Sequence, residues 1–380
     1  MNIKNSVVEF YTNLHKMPEL GFEEIKTTVY IAKLLQQLGY IVQTGKQATG
    51  AQTGVIGILR GAEPGPVLAI RADIDALPYV IEGKPCVIHA CGHDANMSIV
   101  LTLAKYAAEQ KIKKGTLKLI FQPAEEVASK NGSGSQRMAR AGAIDDVDIL
   151  LGLHLRPLQE AGKGQAAPAL WHGAGYTIAA DIKGKTAHGA RPHLGINAID
   201  GAAAAIMAVN AIRVDPGVSS SVKVTQISAA ESAVNTVPDI AHIVFDLRAQ
   251  TNEVMEELMN KTIQAIENGA ATVGAKSSIT MKEGFAGADY DAKLTKQMKD
   301  AIIEVLGEGG LLDPIVTTGV DDFHFYKQHK KSLKTAFMGL GCDMKGGLHN
   351  PQMSFDIEAL ADGVQIMNTM VNKILGFINK

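Results

Sequence analysis

Four short stretches of this sequence carry side chains that can hold a metal ion or move a proton. They are His89-Ala90-Cys91-Gly92-His93-Asp94, Gln122-Pro123-Ala124-Glu125-Glu126, Gly152-Leu153-His154 and Gly347-Leu348-His349-Asn350-Pro351. Each alone has an ordinary explanation. A Cys-Gly-His can be a buried thiol beside a polar histidine, a Glu-Glu pair a solvated turn, and a histidine after an apolar strand a satisfied near-core group. Their coincidence in one chain is more informative, because thiolate, imidazole and carboxylate are the ligand types of zinc-like cations. Two adjacent glutamates can divide the labour: one ligates a cation while the other moves the proton of a nearby water.

Three of these stretches fall at or just beyond the end of an expected strand, or at a helix start. In an open α/β sheet that edge is where ligands bind. Apolar spacing predicts two N-terminal helices, one carrying Val7, Val8, Tyr11 and Leu14 and ended by Pro18, the other carrying Val29, Ala32, Leu35 and Leu38 and ended by Gly39. Strands are expected at 55–59, 67–70, 117–121 and 149–153, and a helix at 96–108. The order then changes to strand 176–182, helix 196–212, strands 221–227 and 242–247, helix 254–266 and strand 277–281. That is the split-βαβ order, and it reads as an insert because α/β character resumes with a helix at 291–306, a strand at 336–338 and a closing helix at 357–375. The expected organisation is a metal-binding catalytic domain over 1–171 and 285–380, with an inserted domain over 172–284.

The bulk properties narrow the function class. A chain of 380 residues with 46% hydrophobic and 20% charged residues can bury real cores and is not a disordered chain. A net charge of -2, with the two signs interleaved, offers no nucleic-acid surface. Lys111, Lys113 and Lys114 read as a solvated loop. No apolar run is long enough to span a bilayer, and the first ten residues lack a signal-peptide core, so a cytoplasmic location is expected. Cys86, Cys91 and Cys342 are too few for a disulfide framework, which leaves a thiolate available for metal.

The four stretches, together with Arg71-Ala72-Asp73-Ile74-Asp75-Ala76-Leu77-Pro78 and Leu14-His15-Lys16-Met17-Pro18-Glu19-Leu20-Gly21, resemble the signature of one family over the whole length of the chain. It is the metal-dependent aminoacylase and amidohydrolase family of hippurate hydrolases, auxin-conjugate hydrolases and N-acetyldiaminopimelate deacetylases. The resemblance implies a di-metal exopeptidase-like catalytic domain with an inserted split-βαβ (ferredoxin-like) lid or dimerisation domain. It implies that Cys91 bridges two divalent ions, that His93 and His154 serve one and Glu126 and His349 the other, and that Glu125 is the general base. Asp75 would orient a ligand. In the lid, His188 of Lys185-Thr186-Ala187-His188, Asn235 of Asn235-Thr236-Val237-Pro238, and Arg248 would meet the substrate, Arg248 by pairing with the substrate's carboxylate. The expected form is a homodimer or larger homo-oligomer.

The chain departs from that pattern in three places. Asn96 stands where many relatives carry a histidine, Asp321 where they carry glutamate, and 127–135 lacks their glycines until Gly132. Three activities fit the sequence: an N-acyl-amino-acid amidohydrolase, a dipeptidase of the same chemistry, and a non-catalytic dimeric binding protein. A phosphohydrolase does not fit, for want of a glycine-rich phosphate cradle. The ligand set would accept Zn2+ or Mn2+, and also Co2+ or Ni2+.

Overall fold

In the strand Lys114–Gln122, Leu117, Leu119 and Phe121 pack into one apolar core, while Ile120 packs into another. Alternate residues on a strand point to opposite faces, so this strand is covered on both sides. Its neighbours behave likewise: Leu68 and Ile70 join the first core, Ala69 and Leu150 the second. The computed structural model describes residues 2–127, 131–229, 233–317 and 319–379. They form two compact units, one of Met1–Leu170, Asp289–Val316 and Asp322–Lys380, the other of Trp171–Ala288 and Thr317–Asp321.

The larger unit is built on a seven-stranded mixed sheet. Its strands run in the spatial order Ile41–Thr44, Val55–Arg60, Lys114–Gln122, Glu63–Asp73, Ile149–Pro157, Lys334–Met344 and Ala166–Ala167. The four strands from Lys114–Gln122 to Lys334–Met344 are mutually parallel, and the outer ones are antiparallel to their neighbours. The helices Ile3–Leu14, His93–Gln110, Ala292–Leu306 and Leu360–Leu375 supply the first core. Elements unmarked by apolar periodicity include a hairpin of Leu77–Ile81 with Lys84–Ile88, the strand Ile41–Thr44 and the short helices Gly134–Arg140 and His324–His329.

The smaller unit has a four-stranded antiparallel sheet in the order Ser220–Ala229, Ile240–Ala249, Ala174–Lys183 and Lys276–Phe285. The helices Ala198–Asn210 and Asn252–Ala271 complete a strand, helix, strand, strand, helix, strand order around a separate apolar core. The two helices touch closely at Gly269, where an added Cβ would come within 2.6 Å of the Cα of Ala205. Boundaries follow caps rather than apolar stripes. Asn197 accepts from the Ile199 N–H and Thr251 from the Val254 N–H, which starts the first helix two residues later and the second two residues earlier than its periodic pattern.

Phe121 is fully buried in the strand Lys114–Gln122, one residue before Gln122. Phe121→Ala should cost about 3–5 kcal/mol, read as a lower urea midpoint at unchanged m-value. A midpoint within error of the wild type would contradict this packing.

Candidate metal centre

The parallel strands end together, and the reactive stretches follow their ends. Asp73 pairs in register with Gln122, and His154 with Gly339. Asp75 lies two residues past the first strand, and Glu125 and Glu126 just past Gln122. The helix His93–Gln110 begins beside Cys91 after Gly92, which is left-handed at φ 86. The turn holding the two glutamates is tightly constrained. Ala124 adopts φ 51, a sparsely populated region for a residue with a Cβ. An added Cβ on Gly134 would fall 1.5 Å from the Pro123 carbonyl oxygen, so the following helix can approach only as glycine. His349 is also left-handed, at φ 63. Its N–H donates to the Ala90 carbonyl at 2.7 Å, and its own carbonyl accepts from the Tyr79 hydroxyl at 2.8 Å.

These constraints bring Cys91, His93, Glu126, His154 and His349 together. Cys91, His93 and His154 form one trio whose ligand atoms all lie within 4.8 Å of one another, and Cys91, Glu126 and His349 form a second. Cys91 belongs to both. The imidazoles are held with one face committed. His93 Nδ1 donates to the Asp75 carbonyl at 2.9 Å, with Asp75 Oδ1 at 3.2 Å, and His154 Nδ1 donates to the Leu155 carbonyl at 2.8 Å. A carbonyl oxygen can only accept, so each Nδ1 carries a hydrogen; in the neutral ring that leaves the lone pair on Nε2, and in the protonated ring the positive charge sits beside Cys91. His154 Nε2 lies 3.5 Å from the Cys91 sulfur.

The donor set fits divalent cations. His93 Nε2 and Glu126 Oε1 are buried without a hydrogen-bond partner among the described residues. Glu126 Oε1 comes within 3.0 Å of His349 Nε2, but not in hydrogen-bonding geometry. Buried lone pairs facing one another are costly unless a positive charge meets them. The charge balance of the chain's own groups agrees. Burial would push the Cys91 thiol up, but His93 and His154 outweigh it and bring the thiol down to about 6. The acidic groups of Cys91 and Glu126 beside it lift His349 to about 10. Burial opposes ionisation of Asp73, yet His93 and Arg71 hold it at about 2. A thiolate beside two imidazoles, at the start of a helix, is the arrangement that favours the metal-binding form of cysteine.

Glu125 is buried, and the Asp322 N–H approaches its Oε1 at 3.4 Å. Asn96 is buried and donates from Nδ2 to Asp73 Oδ1 at 2.9 Å, which accounts for an amide at that position. In the smaller unit, Asn235 Nδ2 lies 3.4 Å from His188 Nε2, and the two segments pair as a short antiparallel ribbon. Arg248 forks onto Asp246 through Nε and Nη2, at 3.0 and 2.9 Å. Asp321 falls within the smaller unit. Of the stretch 127–135, residues 128–130 lie outside the described residues.

Sequence reading missed Glu24. It is fully buried, and its Oε1 accepts from the Ala124 N–H at 2.8 Å, one residue before Glu125. The only available signal was a Glu-Glu pair after Phe22, which periodicity assigns to solvent. Burial, with Asp75 nearby, raises the Glu24 carboxyl from its ordinary 4.5 to about 7. The folded state therefore binds the proton more tightly than the unfolded chain, and stability falls as pH rises from 4.5 through about 7. Glu24→Gln should flatten that slope in urea titrations at pH 5 and pH 8. An unchanged slope would show that another group sets it.

The comparisons with known proteins agree with this geometry. The model of Peptidase family M20/M25/M40 matches residues 69–373. The chain is 29% identical over 385 residues to an N-acetyl-L-cysteine deacetylase of Bacillus subtilis (strain 168), covering 98% of this chain and 89% of that one. It is 29% identical over 385 residues to an N-acetyldiaminopimelate deacetylase of Streptococcus pneumoniae (strain Taiwan19F-14), covering 97% and 98%. Among solved structures it is similar to a dinuclear metal binding peptidase of the M20 family from Bacillus subtilis, with a TM-score of 0.80, 25% identity and 99% of each chain covered. A match over most of the chain, with the thiol, imidazole and carboxylate groups gathered at the sheet edge, places this protein in Peptidase family M20/M25/M40.

Proposed function

We propose that this enzyme is a metal-dependent amidohydrolase that removes the acyl group from N-acyl amino acids. The observation that carries the reading is the pair of ligand trios sharing Cys91, with the buried carboxyl of Glu125 beside them. The relatives named as deacetylases of N-acetylated amino acids support the substrate class. In this reading Cys91, His93, Glu126, His154 and His349 would hold two divalent cations, Cys91 being the residue that the two trios share. When bound, the cations supply Lewis-acidic charge that favours ionisation of water and polarises the scissile carbonyl. Zinc or manganese suits the donors, as do cobalt and nickel.

Glu125 takes a proton from water as the water oxygen bonds to the carbonyl carbon. It returns that proton to the amine nitrogen as the C–N bond breaks, releasing a carboxylate and an amino acid. Asp75 keeps His93 in the tautomer whose Nε2 is free to bind. His188 and Asn235 are the proposed substrate-binding pair of a lid formed by the smaller unit, supported by their mutual contact. Arg248 would have to exchange Asp246 for a substrate carboxylate.

Glu125→Gln should retain the bound metal and substrate affinity while kcat falls by about 10²–10⁴-fold. Glu126→Ala should lose metal together with activity. The measurements are elemental analysis and turnover on a panel of N-acetyl, N-benzoyl and indole-acetyl amino acids after reconstitution with each metal. Near-wild-type turnover in Glu125→Gln would refute the assignment of the base, and activity on dipeptides alone would favour the dipeptidase reading.

No helix among the described residues is long and apolar enough to cross a membrane. A homodimer is supported by the strand Ser220–Ala229, which ends the smaller unit's sheet and carries Ile227 at 57% exposure. An open strand edge is a template for pairing with a second copy. Sedimentation should give a dimer for the wild type and a shift toward monomer for Ile227→Asp; a monomeric wild type at micromolar concentration would exclude it.

A further inference from the structure

Arg71 is 1% exposed inside the larger unit. Burying a guanidinium costs several kcal/mol unless every donor meets an acceptor. Here the fork is met on three sides: Nη1 donates to Asp73 Oδ2 at 2.7 Å, Nη2 to Asp322 Oδ1 at 2.8 Å and Nε to Gln122 Oε1 at 3.0 Å. Gln122 Nε2 also donates to Asp322 Oδ1, at 2.7 Å. All four side chains are buried.

The partners of Arg71 lead to different parts of the site. Asp73 Oδ2 lies 3.7 Å from His93 Nε2, and Asn96 holds the other oxygen of Asp73. Asp322 is pinned by Ser135, whose N–H donates to Oδ2 at 3.0 Å and whose hydroxyl donates to the Asp322 carbonyl at 2.6 Å. The Asp322 N–H in turn faces Glu125 Oε1. Gln122 closes the strand from which the Glu125 turn departs. One planar cation thus ties the carboxylate beside His93 to the backbone donor beside Glu125. A well-packed apolar cluster is often as stable as a buried ion pair, so stability alone does not explain the arrangement.

We propose that Arg71 is a positioning residue for the reaction: through Asp73 and Asp322 it sets the place of Glu125 relative to His93. The inference rests on the reading of Glu125 as the base. Lysine cannot replace the fork, because a point charge cannot reach three acceptors in one plane. Asparagine at 322 keeps one acceptor for Arg71 but turns a second donor toward the Ser135 N–H.

The test uses Arg71→Lys and Asp322→Asn in the metal-loaded enzyme, with Glu125→Gln as the reference. Metal content, KM and kcat are measured on an N-acyl amino acid and on its ester analogue, in which oxygen replaces the scissile nitrogen. The amine must be protonated as it leaves, whereas the alkoxide of the ester depends on this far less. A displaced Glu125 therefore damages amide cleavage more than ester cleavage. The expected result is unchanged metal content, KM within about threefold, amide kcat lowered by about 10–100-fold, and a reduced amide-to-ester ratio. Amide and ester rates falling together in proportion to lost metal would overturn the proposal, showing a structural role only. So would wild-type amide turnover in both variants alongside an inactive Glu125→Gln. Full turnover in Glu125→Gln would instead remove the base assignment itself, and the role of Arg71 with it. Asp322→Asn keeps the test decisive if Arg71→Lys fails to fold.

Discussion

The carboxylate of Asp75 is the interaction on which the candidate centre depends. One of its oxygens faces His93 Nδ1 and the other accepts from the Glu126 N–H. A single side chain thereby orients a member of each ligand trio. The first contact leaves His93 Nε2 with a lone pair directed into the cluster, and the second fixes the backbone from which the Glu126 carboxylate projects. A free Asp75 would let the imidazole choose its tautomer and rotate, and the two trios would no longer share a common focus at Cys91. Hydrogen bonds to metal-binding histidines have this general role, and here one carboxylate serves both halves.

That arrangement carries local costs that the rest of the larger unit absorbs. Ala124 and His349 sit in the left-handed region, and His93 Nε2 and Glu126 Oε1 are buried without hydrogen-bond partners among the described residues. Backbone strain of this kind costs of order 1–3 kcal/mol per residue. It persists because neighbouring elements leave the chain no alternative. The Gly134 helix closes on the Pro123 carbonyl, Glu24 holds the Ala124 N–H, and Ala90 and Tyr79 hold both sides of the His349 peptide. Backbone strain and unmet lone pairs coincide here, and a doubly charged cation would satisfy the lone pairs.

Much of the larger unit was legible because apolar periodicity reports burial. Continuous apolar runs marked the central strands, and the change of order after residue 171 marked the split-βαβ segment. The hairpin at Leu77–Ile88 and the helix Gly134–Arg140 were not legible: the first is half exposed and lacks clean alternation, and the second is only two turns long. Element ends shifted because side-chain caps, not apolar stripes, terminate helices.

The sequence by itself determined which chemical groups are available and near which strand ends they stand. Residue type and spacing are local properties, and the C-terminal edge of a parallel sheet is implied by strand order. Tertiary structure alone decided which lone pairs meet. The contacts of Arg71 with Asp322, Glu24 with Ala124 and Tyr79 with His349 join residues 251, 100 and 270 positions apart. No local pattern encodes such pairs, because each exists only where several elements pack at once. It is burial that turns an ordinary arginine, glutamate or tyrosine into a group that must find that particular partner.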